Sequence, residues 1–301
     1  MKSFFLYPIA PFRLDLTVWV LRRLPINEMD RWDGKTYRRV LVMGDSPREV
    51  AVTQAGPPEA PELEVTVSGE DTTERDAEAV RVTLRKMLGL DIDLSEFFRQ
   101  TEVDENLGRL VRRYIGFKPP RLGSVFETLL NAVACQQLSL VVGITLLNRL
   151  TANYGLSTGE HQSFPRPQDL VEAHFEDLRK LGFSNRKSQN VIEFAEQVSR
   201  GELDLESLNE MDDQSIVSRL CELSGVGRWS AEYVALRGLG RLNVFPADDV
   251  GSQNKLQLWQ ELSERPDYDG MHRYLDRWAP YRGLIYFYLL LDFQSRQGIL
   301  P

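Results

Sequence analysis

The chain has 301 residues, 42% hydrophobic and 27% charged, which suits a folded globular protein with one large or two ordinary cores. A net charge of −8 would exclude a nucleic-acid binder only if it were spread evenly. It is concentrated instead: residues 56–105 hold fourteen acidic and five basic side chains, so the rest of the chain is close to +1.

The start, Met1-Lys2-Ser3-Phe4-Phe5-Leu6-Tyr7-Pro8, has one basic residue and a short apolar stretch soon broken by Pro8 and Pro11, so no signal peptide is expected. Residues Asp15 to Arg23 predict a short helix opened by an acidic cap. Tyr37–Met43 and Glu49–Thr53 flank Gly44-Asp45-Ser46-Pro47 and predict a β-hairpin. After a loop marked by Gly56, Pro57, Pro58 and Pro61, residues 63–68 alternate apolar and polar like a half-buried strand. Ala79, Val80, Val82, Leu84 and Leu88 then predict a helix packed on the sheet. Residues 1–104 thus read as a small antiparallel-sheet domain with helices, and no chemistry is visible in it.

From about Leu90 the period becomes helical, and residues 105–301 read as an all-α domain. Val125-Phe126, Leu129-Leu130 and Val133-Ala134 form a helical stripe, and Leu138 to Leu150 continues it in a second helix. Further helices are expected from Pro165, over 187–198, 213–223, 228–237, 249–262 and 271–278, and over a largely apolar 283–292. The segment 107–155 carries Arg109, Arg112, Arg113, Lys118, Arg121 and Arg149 against Glu127 alone, a surface free to meet phosphates. No run of eighteen apolar residues occurs, so no membrane span is expected. Cys135 and Cys221 supply neither a disulfide framework nor a cysteine-rich metal or iron–sulfur site, and a cytoplasmic protein is expected.

Chemistry is concentrated between residues 213 and 250. In the predicted hairpin 213–238, Leu223-Ser224-Gly225-Val226-Gly227-Arg228-Trp229 joins two helices. Gly225 and Gly227 are expected where only glycine tolerates the backbone, with bare N–H groups opening the next helix and Arg228 adding a cation. A tight turn without a ligand is the plainer alternative. Loop 244–250 contains Phe245-Pro246-Ala247-Asp248-Asp249. Either carboxylate is a good helix cap, and either could face C1′ of a sugar and support cleavage of its glycosidic bond. Trp229 and Tyr233 lie four apart on one helix face, as core packing or as an aromatic wall for a base. Gln136-Gln137-Leu138-Ser139 puts two amides at an apolar helix junction, for capping or for filling the stack left by an extruded nucleotide. Trp278-Ala279-Pro280-Tyr281-Arg282 places Arg282 at a helix start. His161, His174 and His272 show no triad or zinc pattern.

Taken together, Leu223 to Tyr233, Pro246-Ala247-Asp248-Asp249, Phe126-Glu127 through Ser139, Leu181-Gly182 with Arg186-Lys187, and Trp278 to Arg282 resemble the helix-hairpin-helix DNA glycosylases, nearest the AlkA-type DNA-3-methyladenine glycosylase II branch. The resemblance implies an α+β protein in which a helical glycosylase domain follows a small antiparallel-sheet domain. It implies Asp249 as the catalytic acid and Asp248 as its neighbour. It places Trp229, Tyr233, Tyr286 and Leu290 around the base, with Leu290 where the family has a pocket tryptophan. It assigns Gln136, Gln137, Ser139, Gly225, Val226, Gly227, Arg228, Ser230 and Arg282 to double-stranded DNA, with Gln137 where the best-known members have a leucine wedge. Where the lyase branch has a lysine this chain has Trp229, which implies a monofunctional enzyme leaving an abasic site. No cofactor is required and no iron–sulfur cluster is expected. A Na+ or K+ ion could sit on the carbonyls of Cys221, Leu223 and Val226. A monomer without membrane contact is expected. Three activities stay open: release of alkylated purines such as 3-methyladenine and 7-methylguanine, release of oxidised or deaminated bases such as 8-oxoguanine and hypoxanthine, and damage recognition without catalysis.

Overall fold

A computed structural model describes residues 1–69, 71–298 and 300. The fold is α+β. It begins β1 (Lys2–Leu6), α1 (Leu14–Arg22), β2 (Arg31–Trp32), β3 (Thr36–Met43), β4 (Ser46–Gln54), β5 (Leu63–Val67), α2 (Glu74–Met87) and α3 (Ser95–Thr101). The strands form an antiparallel sheet in the order β1-β5-β4-β3-β2. The hairpin β3–β4 is present, but its turn is tighter than expected, since Ser46 and Pro47 already pair with Met43 and Val42. β1 was missed: Phe4 and Leu6 turn inward and alternate with Ser3 and Phe5, a period of two hidden by the prolines that follow. The expected acidic cap on α1 is corrected, since Arg13 occupies the cap and Asp15 sits in the first turn. There Asp15 favours the helix dipole and accepts from Arg13 Nε at 3.1 Å. Thr73 and Asp76 close a reciprocal capping box on α2.

The remainder runs α4 (Glu105–Arg113), α5 (Val125–Cys135), α6 (Leu140–Tyr154), β6 (Ser157–Thr158), β7 (His161–Gln162), α7 (Pro167–Leu170), α8 (Phe175–Leu181), α9 (Asn185–Ser199), α10 (Asp213–Cys221), α11 (Arg228–Arg237), α12 (Val250–Trp259), α13 (Tyr268–Leu275) and α14 (Arg282–Arg296). The β6–β7 ribbon corrects the all-α expectation for this half. Its strands of two residues are too short to show a period in sequence.

Three buried clusters organise the molecule. One lies under the sheet, between Val50, Val52, Leu63 and Val65 on the strands and Val80 and Leu84 on α2. A second joins α5, α6, α9 and α11 through Leu129, Val133, Leu147, Phe194 and Val234. The third sets Leu16, Trp19 and Val20 of α1 against Leu284, Phe287 and Tyr288 of α14. Helix α1 therefore belongs by sequence to the sheet half and by packing partly to the helical half. A buried ion-paired group adds to this join: Arg39 on β3 bonds both Asp30, at 2.8 Å, and Glu127 on α5. Among the described residues no helix is long and apolar enough to cross a membrane.

Candidate active site

The turn from α10 to α11 is closed by the Val226 N–H donating to the Leu223 carbonyl at 3.1 Å. Gly225 has φ 75, and a Cβ there would strike the Asn190 amide, so glycine is demanded twice over. Gly227 is different. Its φ of −93 suits any residue, which corrects the expectation of a special backbone there, and a Cβ would meet nothing within 4 Å. What its missing side chain leaves is an unobstructed approach to the N-terminus of α11, where no side chain caps the first turn.

Helix α11 grips the next loop at three successive residues. Arg228 donates to both oxygens of Asp248, Nε at 2.8 Å and Nη2 at 3.2 Å. Trp229 Nε1 donates to Asp249 Oδ2 at 3.3 Å. Glu232 Oε2 accepts from the Ala247 N–H at 3.2 Å, and its other oxygen accepts from the Tyr268 hydroxyl at 2.8 Å. The Ala247 carbonyl is held from the far side by Gln253 Nε2 at 2.8 Å. Asp249 also caps α12, with Oδ1 accepting from the Ser252 N–H at 2.8 Å. The two carboxylates that sequence physics could not separate thus have different neighbours: Asp248 is in an ion pair, Asp249 faces the indole. Arg228, expected on phosphate, is engaged with Asp248 and lies 3.4 Å above the Tyr268 ring. Burial pushes the Glu232 carboxyl up to about 7, against the bonds from Tyr268 and Ala247 that favour its ionised form.

Trp229 and Tyr233 stack on each other at 5.5 Å and 26°. Tyr233 is 3% exposed and Trp229 half-buried, so no slot opens between them and the free aromatic face belongs to Trp229. The Tyr233 hydroxyl accepts from Arg23 Nη1 at 3.0 Å, and Arg23 also donates to Asn131. Arg23, just past α1 with φ 67, carried no signal in the sequence. Tyr286 packs edge-on against Phe245 at 5.8 Å. Burial pushes its phenol up, and Asp249 and Tyr233 add to the shift. Leu290, one turn further on α14, packs half-buried against the third cluster. Tyr288 is fully buried and stacks on Phe97 at 5.7 Å, away from this site. Lys255 was also missed. Its Nζ and Asp249 Oδ1 lie 3.2 and 3.0 Å from the point a Cβ on Gly251 would occupy.

The junction between α5 and α6 divides the expected DNA-contacting residues. Gln136 Nε2 donates to the Gly225 carbonyl at 2.8 Å and to Ser230 Oγ at 2.7 Å. Ser230 is 2% exposed. Both therefore tie this junction to the hairpin. Lys187 supports the same turn by donating to the carbonyls of Ala134, at 2.9 Å, and Gln136, at 2.7 Å. Gln137 is exposed with φ 56, beside the exposed Leu138, Val141 and Val142. Ser139 caps α6 by accepting from the Val142 N–H at 3.4 Å. Arg282 is engaged with Asn243 and Asp276, each at 2.9 Å. A cleft of about 620 Å³ between β3 and the loop 163–168 includes none of these residues.

The family model for the HhH-GPD superfamily base excision DNA repair protein matches residues 130–280, half of the chain. A putative DNA-3-methyladenine glycosylase, YfjP, of Bacillus subtilis is 32% identical over 55% of this chain and 58% of its own length. DNA-3-methyladenine glycosylase 2 of Escherichia coli is 29% identical over 66% of this chain and 67% of its own. The solved 3-methyladenine DNA glycosylase of Archaeoglobus fulgidus superposes with a TM-score of 0.82 at 28% identity, covering 99% of this chain and 100% of that one. The match over residues 130–280, which include the turn 223–229 and loop 244–250, makes this chain a member of the HhH-GPD superfamily of base excision DNA repair proteins, of its AlkA-like type.

Proposed function

We propose that the protein is a monofunctional DNA glycosylase that flips alkylated purines out of double-stranded DNA and hydrolyses their glycosidic bond. The observation that carries this reading is the Asp249 carboxylate, aimed by two donors, Trp229 Nε1 and the Ser252 N–H, beside a half-exposed indole face. The uncapped start of α11 receives a DNA phosphate through backbone N–H groups. Gln137, lifted out of the surface by its left-handed backbone, fills the gap in the stack. The extruded base lies against Trp229, with Tyr286 and Leu290 beyond it. An indole face favours a ring made cationic by alkylation, by about 1–2 kcal/mol when desolvated. As the bond to the base stretches, positive charge develops at C1′ and the sugar oxygen. Asp249 faces that charge and orients the attacking water. Trp229 stands where a lyase would need an amine, so the product is an intact strand with an abasic site.

The same reading divides the chain at residue 104, with 1–104 as the sheet domain and 105–301 as the glycosylase domain. It makes the protein a cytoplasmic monomer that needs no cofactor. The Leu223 carbonyl, already accepting one bond in the turn, keeps a second lone pair, and with the Cys221 and Val226 carbonyls it would hold a Na+ or K+ ion beside the phosphate. A panel of duplexes, each with one lesion, tests the proposal. Release of 3-methyladenine and 7-methylguanine with no strand nicking is expected. Release of 8-oxoguanine or hypoxanthine alone, or binding without release, overturns it.

A further inference from the structure

We infer that Glu232 is a positioning residue: it locks the backbone of the loop that carries Asp249, and by its state of ionisation sets how firmly that carboxylate is aimed. The inference rests on the glycosylase reading for its kinetic consequence but not for its structural one.

Glu232 lies one helical turn beyond Arg228, so the two side chains leave the same face of α11. It is 4% exposed. A carboxylate with so little water must find donors inside the protein, and two are present, the Ala247 N–H and the Tyr268 hydroxyl. Ala247 is two residues before Asp249. Because Gln253 holds the Ala247 carbonyl, that peptide is fixed at both ends by side chains from different helices. Tyr268 is in turn covered by the Arg228 guanidinium, which holds Asp248. Loop, hairpin helix and α13 are therefore closed into one ring of contacts, and Glu232 is the member that accepts from two of its sides.

Ionised, Glu232 offers acceptor oxygens to both donors. Once protonated, it carries one hydrogen that faces either the Ala247 N–H or the Tyr268 O–H. The oxygen that takes the proton becomes a poorer acceptor, so one of the two bonds weakens, or Tyr268 turns round to accept. The groups facing Glu232 are Arg228, Asp248, Tyr268 and Cys221, with His272 packed edge-on against Tyr268 at 4.5 Å. Arg228 is the cation that favours ionisation; Asp248 opposes it, as does burial. The carboxyl changes charge near neutrality, so the grip on the loop tightens as pH rises through that range. Stability runs the other way. Because the folded-state value is raised, the contribution is fully present below the ordinary glutamate range and is lost as pH rises towards about 7.

Two measurements test this. In the first, the Ala247 amide shift is followed by NMR against pH in free protein. A titration with a midpoint near 7 is expected, abolished in Glu232→Gln and retained in His272→Gln. A flat Ala247 amide, or a titration that survives Glu232→Gln, overturns the inference, whether or not the protein releases any base. In the second, single-turnover base release is followed from pH 6 to 8. The wild-type rate should rise with pH, and the Glu232→Gln rate should be flat. Glu232→Ala should fall about tenfold with Kd for DNA unchanged, the loss of one charge-assisted bond of about 1.4 kcal/mol. Equal pH profiles for wild type and Glu232→Gln would remove the kinetic claim. Absence of release by every form would instead remove the glycosylase reading, with the amide titration standing apart from it.

Discussion

The two loops that flank the site are built on opposite plans. Loop 244–250 is gripped by Arg228, Trp229 and Glu232 from one helix and by Gln253 from another, so little of its backbone is left to choose a conformation. The side chains of Gln136 and Lys187 anchor the α5–α6 turn at its base. Its tip, Gln137 with Leu138, is exposed and holds a left-handed backbone. Aiming a carboxylate at a developing charge requires a fixed dipole, because the stabilisation is lost if the group must reorient during the reaction. Entering a base stack requires only reach and a shape that tolerates several neighbours. On the proposed function, the contrast teaches that rigidity follows chemistry and not proximity to DNA.

Substitutions can break or sharpen that contrast. The largest effect is expected from Asp249→Asn, which keeps a good helix cap on α12 but removes the charge, so base release should fall by roughly 10²- to 10³-fold with Tm nearly unchanged. Retention of full activity would remove Asp249 from the mechanism. Trp229→Phe keeps an aromatic face and deletes the bond to Asp249. A loss of about tenfold in single-turnover rate with little change in Kd is expected, since one hydrogen bond to a charged acceptor is worth about 1.5 kcal/mol. An equal loss in Kd would mean that Trp229 acts through the base alone. The smallest effect should come from Gln137→Ala. Its exposure predicts an unchanged Tm, within about 0.5 kcal/mol of stability, and a severalfold weaker hold on the flipped state. A cooperative loss of stability would show that the projecting turn is as constrained as the loop.

The sequence conveyed the plan of the molecule well where period or glycine chemistry is local. The β3–β4 hairpin, α2, α11 and the positive φ at Gly225 were all legible from short stretches. It conveyed less where a residue's partner is distant. Arg228 next to glycines reads as a phosphate ligand, yet its acid lies twenty residues on. Gln136 and Gln137 read as a pair, but backbone geometry sends one inward and one outward. Glu232, between Ala231 and Tyr233 on a buried helix, was the overlooked signal. An acid on such a face needs donors, and asking which donors would have pointed to loop 244–250. Arg23 could not have been found this way, because its partner Tyr233 is 210 residues away.

Arg23 carries a consequence for modularity. The residue leaves the end of α1, and its guanidinium meets Tyr233 beneath Trp229, while Arg237 Nη2 reaches back to the Val20 carbonyl. The aromatic wall is thus shared across the join between the two halves. The helical half, cut free at residue 105, would expose a phenol without its donor and a buried guanidinium without its acceptor. The sheet half is therefore not a passenger that recombination could exchange freely: a transplanted partner would have to bring its own arginine to the same spot.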